Sequence, residues 1–293
     1  MIIYHKLEEV PMDLTEVISG HSADQVVDYK TVNEEAIRMG FYLPADFGQY
    51  ATEPDKKHPI IILIHGGGWA GHQIFPEQAH WQGDYLGYLA RYYAEKGILG
   101  VSIDYRRIKE NGQLPEYGVL ECYEDCCDAI DYIIAHAEEY HVDINRMYLL
   151  GESAGGHLAG ALSTFHYDRR YQFNKVFLLN PVTDMNARLE KVPAHKENIL
   201  LADMDLKQRA TFLSPLFQAD ADTNDTVLVH GACDTVVDQE QSFRFYERLK
   251  ELKRTCELHI IEETGHAFML PEYYKDTRAC RIGIRIIDQI LGI

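Results

Sequence analysis

The chain has 293 residues, 46% hydrophobic and 25% charged, the make-up of an ordinary soluble globular protein with one large or two small domains. Its formal net charge of −18 lacks the basic footprint that nucleic acid and anionic membrane surfaces require, so neither is expected as a partner. No run approaches the ~18 apolar residues of a membrane span. The start, Met1-Ile2-Ile3-Tyr4-His5-Lys6, lacks the basic-then-apolar pattern of a signal peptide, so a cytoplasmic protein is expected.

In chain order, Val26–Val32 and Ala36–Pro44 read as two strands of an antiparallel hairpin around Asn33-Glu34-Glu35. Short, apolar, mostly β-branched segments follow at Ile60–Ile64, Ile98–Ile103, Met147–Leu150, Val176–Leu179, Thr226–Val229 and Leu258–Ile261. Between them run helical patterns at Gln78–Lys96, Glu121–Tyr140, Ala154–Phe165, Gln239–Leu252 and Tyr273–Leu291. The alternation predicts an α/β fold: a mostly parallel eight-stranded sheet with an N-terminal antiparallel hairpin and helices on both faces. No repeat, low-complexity tract or Gly/Ser linker divides the chain, so residues 1–293 are expected to form a single domain. Residues 181–224 make a long excursion with an amphipathic stretch at Ile199–Leu206, expected to be a small lid-like insertion over the site.

Six cysteines invite a metal or disulfide reading. Cys122, Cys126 and Cys127 lie on the second helical pattern, and no second ligand set of suitable spacing accompanies them. Reduced thiols packed on a helix are the preferred reading, with neither metal nor cofactor expected.

The chemistry starts at Gly151-Glu152-Ser153-Ala154-Gly155-Gly156, which follows the strand Met147–Leu150 and opens a helix. A G-x-S-x-G turn between strand and helix strains the serine and exposes its hydroxyl above the sheet edge, which makes Ser153 the candidate nucleophile. The strand Ile60–Ile64 runs into His65-Gly66-Gly67-Gly68-Trp69. Backbone amides of Gly67 and Gly68, with that of Ala154, would form an oxyanion hole. Asp234, a few residues past the strand Thr226–Val229, is the preferred orienting acid, with Asp238 and then Asp184 as competitors. His266, on the loop after the strand Leu258–Ile261, is the candidate base. His259 falls in a strand, His141, His166 and His195 read as surface residues, His65 as a brace for its loop and His157 as packing for the elbow helix.

The order Ser153, Asp234, His266 is that of α/β-hydrolases. The chain resembles that superfamily, and within it the esterase/lipase group that includes hormone-sensitive-lipase-like and feruloyl- or acetylxylan-esterase-like enzymes. The resemblance rests on His65–Trp69, Ile103-Asp104-Tyr105-Arg106, Gly151–Gly156, Ser214-Pro215-Leu216, His230–Val237 and Gly265–Phe268. It implies Ser153, Asp234 and His266 as a catalytic triad, Gly67, Gly68 and Ala154 as the hole, and Arg106 as a structural residue beneath the site. The chain departs from the hormone-sensitive-lipase-like pattern in lacking a long helical cap before its first strand. Glu152 stands where relatives vary and assigns no substrate.

Both tryptophans, Trp69 and Trp81, fall just after the oxyanion segment with Phe75, His80, Tyr85 and Tyr88. Trp69, Phe75 and Trp81 are the candidate substrate contacts, able to stack on sugars or line an acyl pocket. Packing of Trp81, Tyr85 and Tyr88 through i, i+4, i+7 spacing is the alternative. The preferred expectation is a serine carboxylesterase for short acyl groups, with acetyl esters of sugars as a candidate small-molecule substrate, acting through an acyl-enzyme. Its activity would fall below about pH 6, given the ordinary histidine pKa of ~6.5. A prolyl-peptidase-like peptidase or amidase, or a hydrolase-fold binding protein without catalysis, are the competing expectations.

Overall fold

A computed structural model describes residues 1–15, 18, 22–48, 56–69, 86–108, 118–165, 171–191, 206–271 and 276–293. Its strands are β1 (Ile2–His5), β2 (Gln25–Val32), β3 (Glu35–Tyr42), β4 (His58–Ile64), β5 (Leu99–Ile103), β6 (Val142–Glu152), β7 (Lys175–Leu179), β8 (Thr226–Gly231) and β9 (Cys256–Ile261). They form a nine-stranded sheet in the order β1-β9-β8-β7-β6-β4-β5-β3-β2. The β2–β3 and β3–β5 pairs are antiparallel and every other pair is parallel. The hairpin turns on Asn33 and Glu34, both with positive φ (47° and 67°), the twist that a two-residue hairpin loop prefers.

The sequence reading expects eight strands, and the ninth is β1. Four residues carry too little periodicity to stand out, and β1 forms only by pairing in parallel with β9 at the sheet edge, Ile3 opposite His259. β6 also starts five residues earlier than expected, at Val142, which pairs with His58 ahead of a register shift, in a stretch that no apolar run marks.

The helices of the described residues are α1 (Gly87–Glu95), α2 (Val119–Ala135), α3 (Ala154–Thr164), α4 (Met185–Lys191), α5 (Leu206–Phe212), α6 (Pro215–Gln218), α7 (Glu240–Glu251) and α8 (Arg278–Leu291). They cover both faces, and strand alternation decides which core each side chain joins. Ile60, Ile62 and Ile64 of β4 enter one core with α2 and α3, while Ile61 and Leu63 enter the other with α1 and α8. A strand buried on both faces has no polar side, which is why β4 reads as an unbroken apolar run.

Residues at both ends of the 181–224 excursion belong to the main core. Val182, Met185, Leu189, Ala210, Leu213 and Leu216 are buried in the same cluster as α3. Ser214 Oγ accepts the Met185 amide at 2.8 Å and donates to the Ala210 carbonyl at 2.6 Å, clamping the two flanks together. The expected helix at 199–206 falls outside the described residues except for Leu206, where α5 begins.

A buried ionic knot ties the hairpin to the body. The Asp125 side chain on α2, fully buried, receives Lys30 Nζ of β2 at 2.6 Å and both the Nε and the backbone amide of Arg106 at 2.8 Å. Arg106 thus has the structural role that the family resemblance implies. Cys122, Cys126 and Cys127 are buried free thiols on α2, as the helical reading expects.

Candidate active site

The site lies at the carboxyl ends of the central strands, where open α/β sheets place their clefts. Ser153 ends β6 and starts α3 at φ 55°, ψ −115°, a conformation that a side chain adopts only under constraint. The constraint is packing at Gly155: a Cβ there would sit 2.0 Å from the Ile64 carbonyl oxygen and 2.4 Å from that of His65. The elbow therefore presses directly on the end of β4, and only glycine permits the approach.

His266, on the loop after β9, places Nε2 2.8 Å from Ser153 Oγ and Nδ1 2.6 Å from Asp234 Oδ2. Asp234, on the loop after β8, has a fully buried side chain. Its Oδ1 accepts the amides of Val236 (2.8 Å) and Val237 (2.9 Å), and Oδ2 also faces His230 Nε2 at 3.3 Å. Burial alone would raise its pKa, but hydrogen bonds from His230 and His266 hold the carboxyl well below the usual carboxylate range. Asp238 instead pairs with Lys191 and accepts the Glu240 amide, and Asp184 pairs with Arg244.

Burial pulls His266 down, yet its pKa lies above the ordinary 6.5, because the Asp234 hydrogen bond and then the charges of Glu152 and Asp234 outweigh burial and the opposing charge of Arg188. Glu152 is 1% exposed and stands against the glycine segment after β4, where a Cβ on Gly66 would meet its Oε2 at 2.3 Å. A glutamate between a buried strand and a nucleophile elbow carries no local pattern that would reveal this influence.

Facing Ser153, Gly67 and Gly68 have φ of 106° and 63°, which turns the backbone sharply after β4. Among the described residues nothing accepts a hydrogen bond from either amide. The Ala154 amide, in the first turn of α3, has no acceptor within its helix either. The loop is braced from behind. His65 Nε2 lies 3.0 Å from Asp104 Oδ1, its ring stacks on Tyr105 at 4.4 Å, and the Tyr105 hydroxyl donates to the His65 and Gly66 carbonyls at 3.0 and 3.3 Å.

Trp69 is 2% exposed, and its indole N–H donates to His157 Nδ1 at 3.3 Å. His157, pushed down to about 4 by burial and hence neutral, donates from Nε2 to the Leu213 carbonyl at 2.7 Å. This relay ties the glycine segment after β4 to α3 and to the far flank of the excursion, so Trp69 sits as packing with little ring surface open to a substrate. Phe75 and Trp81 lie outside the described residues. Tyr88, on α1, is buried and donates to the Met269 carbonyl. Among the described residues no cluster of His, Cys, Asp or Glu is arranged to hold a metal ion, and no helix is long and apolar enough to cross a membrane.

Sequence reasoning passes over two further groups at the site. His230, at the end of β8, supports Asp234 and is itself held by Ser242 and the Val237 carbonyl. Arg188, on α4, reaches the Val236 carbonyl of the acid loop across 48 residues of chain. Such a distance leaves no local signal.

A mostly parallel sheet with a serine at a strand–helix elbow, and its histidine and aspartate on later strand-end loops, defines the α/β-hydrolase architecture. The chain belongs to the BD-FAE family, whose model matches residues 49–249. It is 30% identical over 143 residues to tuliposide A-converting enzyme 2, chloroplastic, of Tulipa gesneriana, a match covering 46% of this chain and 32% of the tulip protein. It is 33% identical over 160 residues to probable carboxylesterase 5 of Arabidopsis thaliana, covering 52% of this chain and 44% of that relative. These matches thus span less than half the length of either plant protein. The native Est2 esterase structure from Thermogutta terrifontis superimposes with a TM-score of 0.73 at 23% identity, covering 93% of this chain and 92% of that one. At that identity the likeness is one of fold.

Proposed function

We propose that this chain is a serine carboxylesterase that hydrolyses short-chain acyl esters through an acyl-enzyme intermediate. The observation that carries the reading is the continuous hydrogen-bonded chain from Ser153 Oγ through His266 to the buried Asp234, at 2.8 and 2.6 Å. Similarity to proteins named as carboxylesterases supports the same reading.

In this mechanism His266 Nε2 takes the Ser153 proton as Oγ attacks the ester carbonyl, and Asp234 stabilises the imidazolium so formed. Charge developing on the carbonyl oxygen is met by the amides of Gly67, Gly68 and Ala154, each such donor being worth about 10²–10³-fold in rate. His266 then returns its proton to the leaving alcohol. Water enters and gives a proton to His266 as its oxygen attacks the acyl carbon, and His266 passes that proton to Ser153 Oγ as the bond to serine breaks and the acid leaves. Nothing in these steps needs a cofactor. Acetyl esters of sugars are the natural candidates to try first.

The test is hydrolysis of p-nitrophenyl acetate, butyrate and octanoate by wild type and Ser153→Ala. Rapid turnover of the shorter esters, lost by at least about 10⁴-fold in the variant, is expected. Equal rates in the two proteins would overturn the assignment, and a preference for octanoate would overturn the short acyl pocket. Deacetylation of acetylated sugars, followed as acetate released, decides whether the sugar part stands.

A further inference from the structure

Three cations stand close together on the elements that flank the acid loop, and their surroundings differ. Lys191, on α4, is paired with Asp238, and Arg244, on α7, is paired with Asp184. Arg188, one turn before Lys191 on α4, has no carboxylate partner among the described residues. The one hydrogen bond its guanidinium makes there is from Nη1 to the backbone carbonyl of Val236. Its Nε is buried with no acceptor among the described residues.

A guanidinium carries five N–H donors in a planar fork that fits a carboxylate. Burying part of one without an acid costs stability, and folded proteins seldom leave such a group unsatisfied without a use. Here the cation left unsatisfied among the described residues is beside the chemistry. Its charge acts on both Asp234 and His266. The acid loop it touches bears Val236, 49% exposed, and the His266 ring is itself 13% open to solvent. Arg188 therefore reaches from the excursion to the acid loop that carries Asp234.

Resting on the esterase reading above, we infer that Arg188 is a specificity-determining residue that receives a carboxylate carried by the substrate, so that the preferred ester is a monoanion with its acid a few bonds from the scissile carbonyl. The net charge of −18 opposes an anion at long range, but surface charges beyond about 8 Å are largely screened at physiological salt. At contact the local guanidinium decides. Dicarboxylic half-esters and esters of hydroxy acids share this chemistry.

The probe is a matched pair: 4-nitrophenyl hydrogen adipate, anionic at pH 7.5 and too long to close readily to a cyclic anhydride, and its neutral methyl ester, assayed with wild type, Arg188→Gln and Arg188→Lys. The readout is the anion-to-neutral ratio of kcat/KM, which a merely structural role for Arg188 would leave in place while lowering both rates together. Wild type should favour the anion at least tenfold. Gln should lower that ratio by about 10–100-fold, the worth of a charge-assisted hydrogen bond, and Lys should restore part of it. Raising salt from 0.05 to 1 M should also narrow the wild-type preference.

Good turnover of the neutral ester with no advantage for the anion, or a ratio unmoved by Arg188→Gln, overturns this inference and leaves the esterase reading standing. Should Gln fail to fold, the wild-type ratio and the Lys variant decide in the same way. Hydrolysis of neither ester overturns the esterase reading, and this inference with it.

Discussion

Two buried aspartates divide the molecule's electrostatics between them. Asp125 and Asp234 both have side chains fully removed from solvent, and both accept two or more charge-assisted or amide hydrogen bonds. Asp125 faces Lys30 and Arg106, cations that keep their charge across the whole working pH range. Asp234 faces two imidazoles and two backbone amides. The first arrangement is static and joins the hairpin to the body of the protein. The second leaves one partner, His266, able to gain and lose a proton, which the proton transfer proposed at Ser153 requires. On the proposed mechanism, what separates the structural carboxylate from the working one is the titration range of the partners, since both side chains are fully buried.

The contrast can be broken most sharply at Asp234. Asp234→Asn should lower kcat by about 10⁴-fold, because His266 then loses the acceptor that sets its tautomer, while the melting temperature stays close to wild type. Ester turnover and a thermal melt of the same sample check this. A variant that keeps its activity would show the two aspartates to be of one kind.

Asp125→Ala is the complementary change. It strands Lys30 and Arg106, one of them mostly buried, and should lower unfolding free energy by about 3–5 kcal/mol in a urea titration. Activity per folded molecule should hold within a few-fold. If catalysis collapsed while stability held, the knot would belong to the active site.

The pH profile sharpens the comparison further. In the proposed mechanism His266 acts as a base only when neutral, and its pKa is raised above 6.5, so kcat/KM should be lost as pH falls through a midpoint above 6.5. That is higher than the unperturbed value suggests from sequence alone. Glu152→Gln removes a charge that raises this pKa, so its acid limb should move to lower pH. The displacement is the smallest effect foreseen here, and pH–rate curves for the two proteins would reveal it. A midpoint at or below 6.5 in wild type, or one unmoved by Glu152→Gln, would contradict the assigned influence.

Much of the architecture was legible in one dimension. The central strands β4 to β9 announce themselves because burial on both faces demands apolar, β-branched residues, and Ile60–Ile64 is the plainest case. The hairpin was readable from the break at Asn33-Glu34. Ser153, Asp234 and His266 could be picked out because each lies just past a strand end, and a parallel sheet brings such ends to one edge whatever the chain does between them. β1 escaped, since four residues at an edge make no pattern until β9 offers them a partner.

Contacts between elements distant in sequence were decided by the tertiary structure alone. Arg188 meets the acid loop across 48 residues, Trp69 meets His157 across 88, and Lys30 meets Asp125 across 95. Residue type and spacing determine which side chains can reach a strand end, because hydrophobic periodicity is local. Which charges then face one another, and so how far the pKa of His266 moves, depends on burial and on distances that only the packed sheet creates.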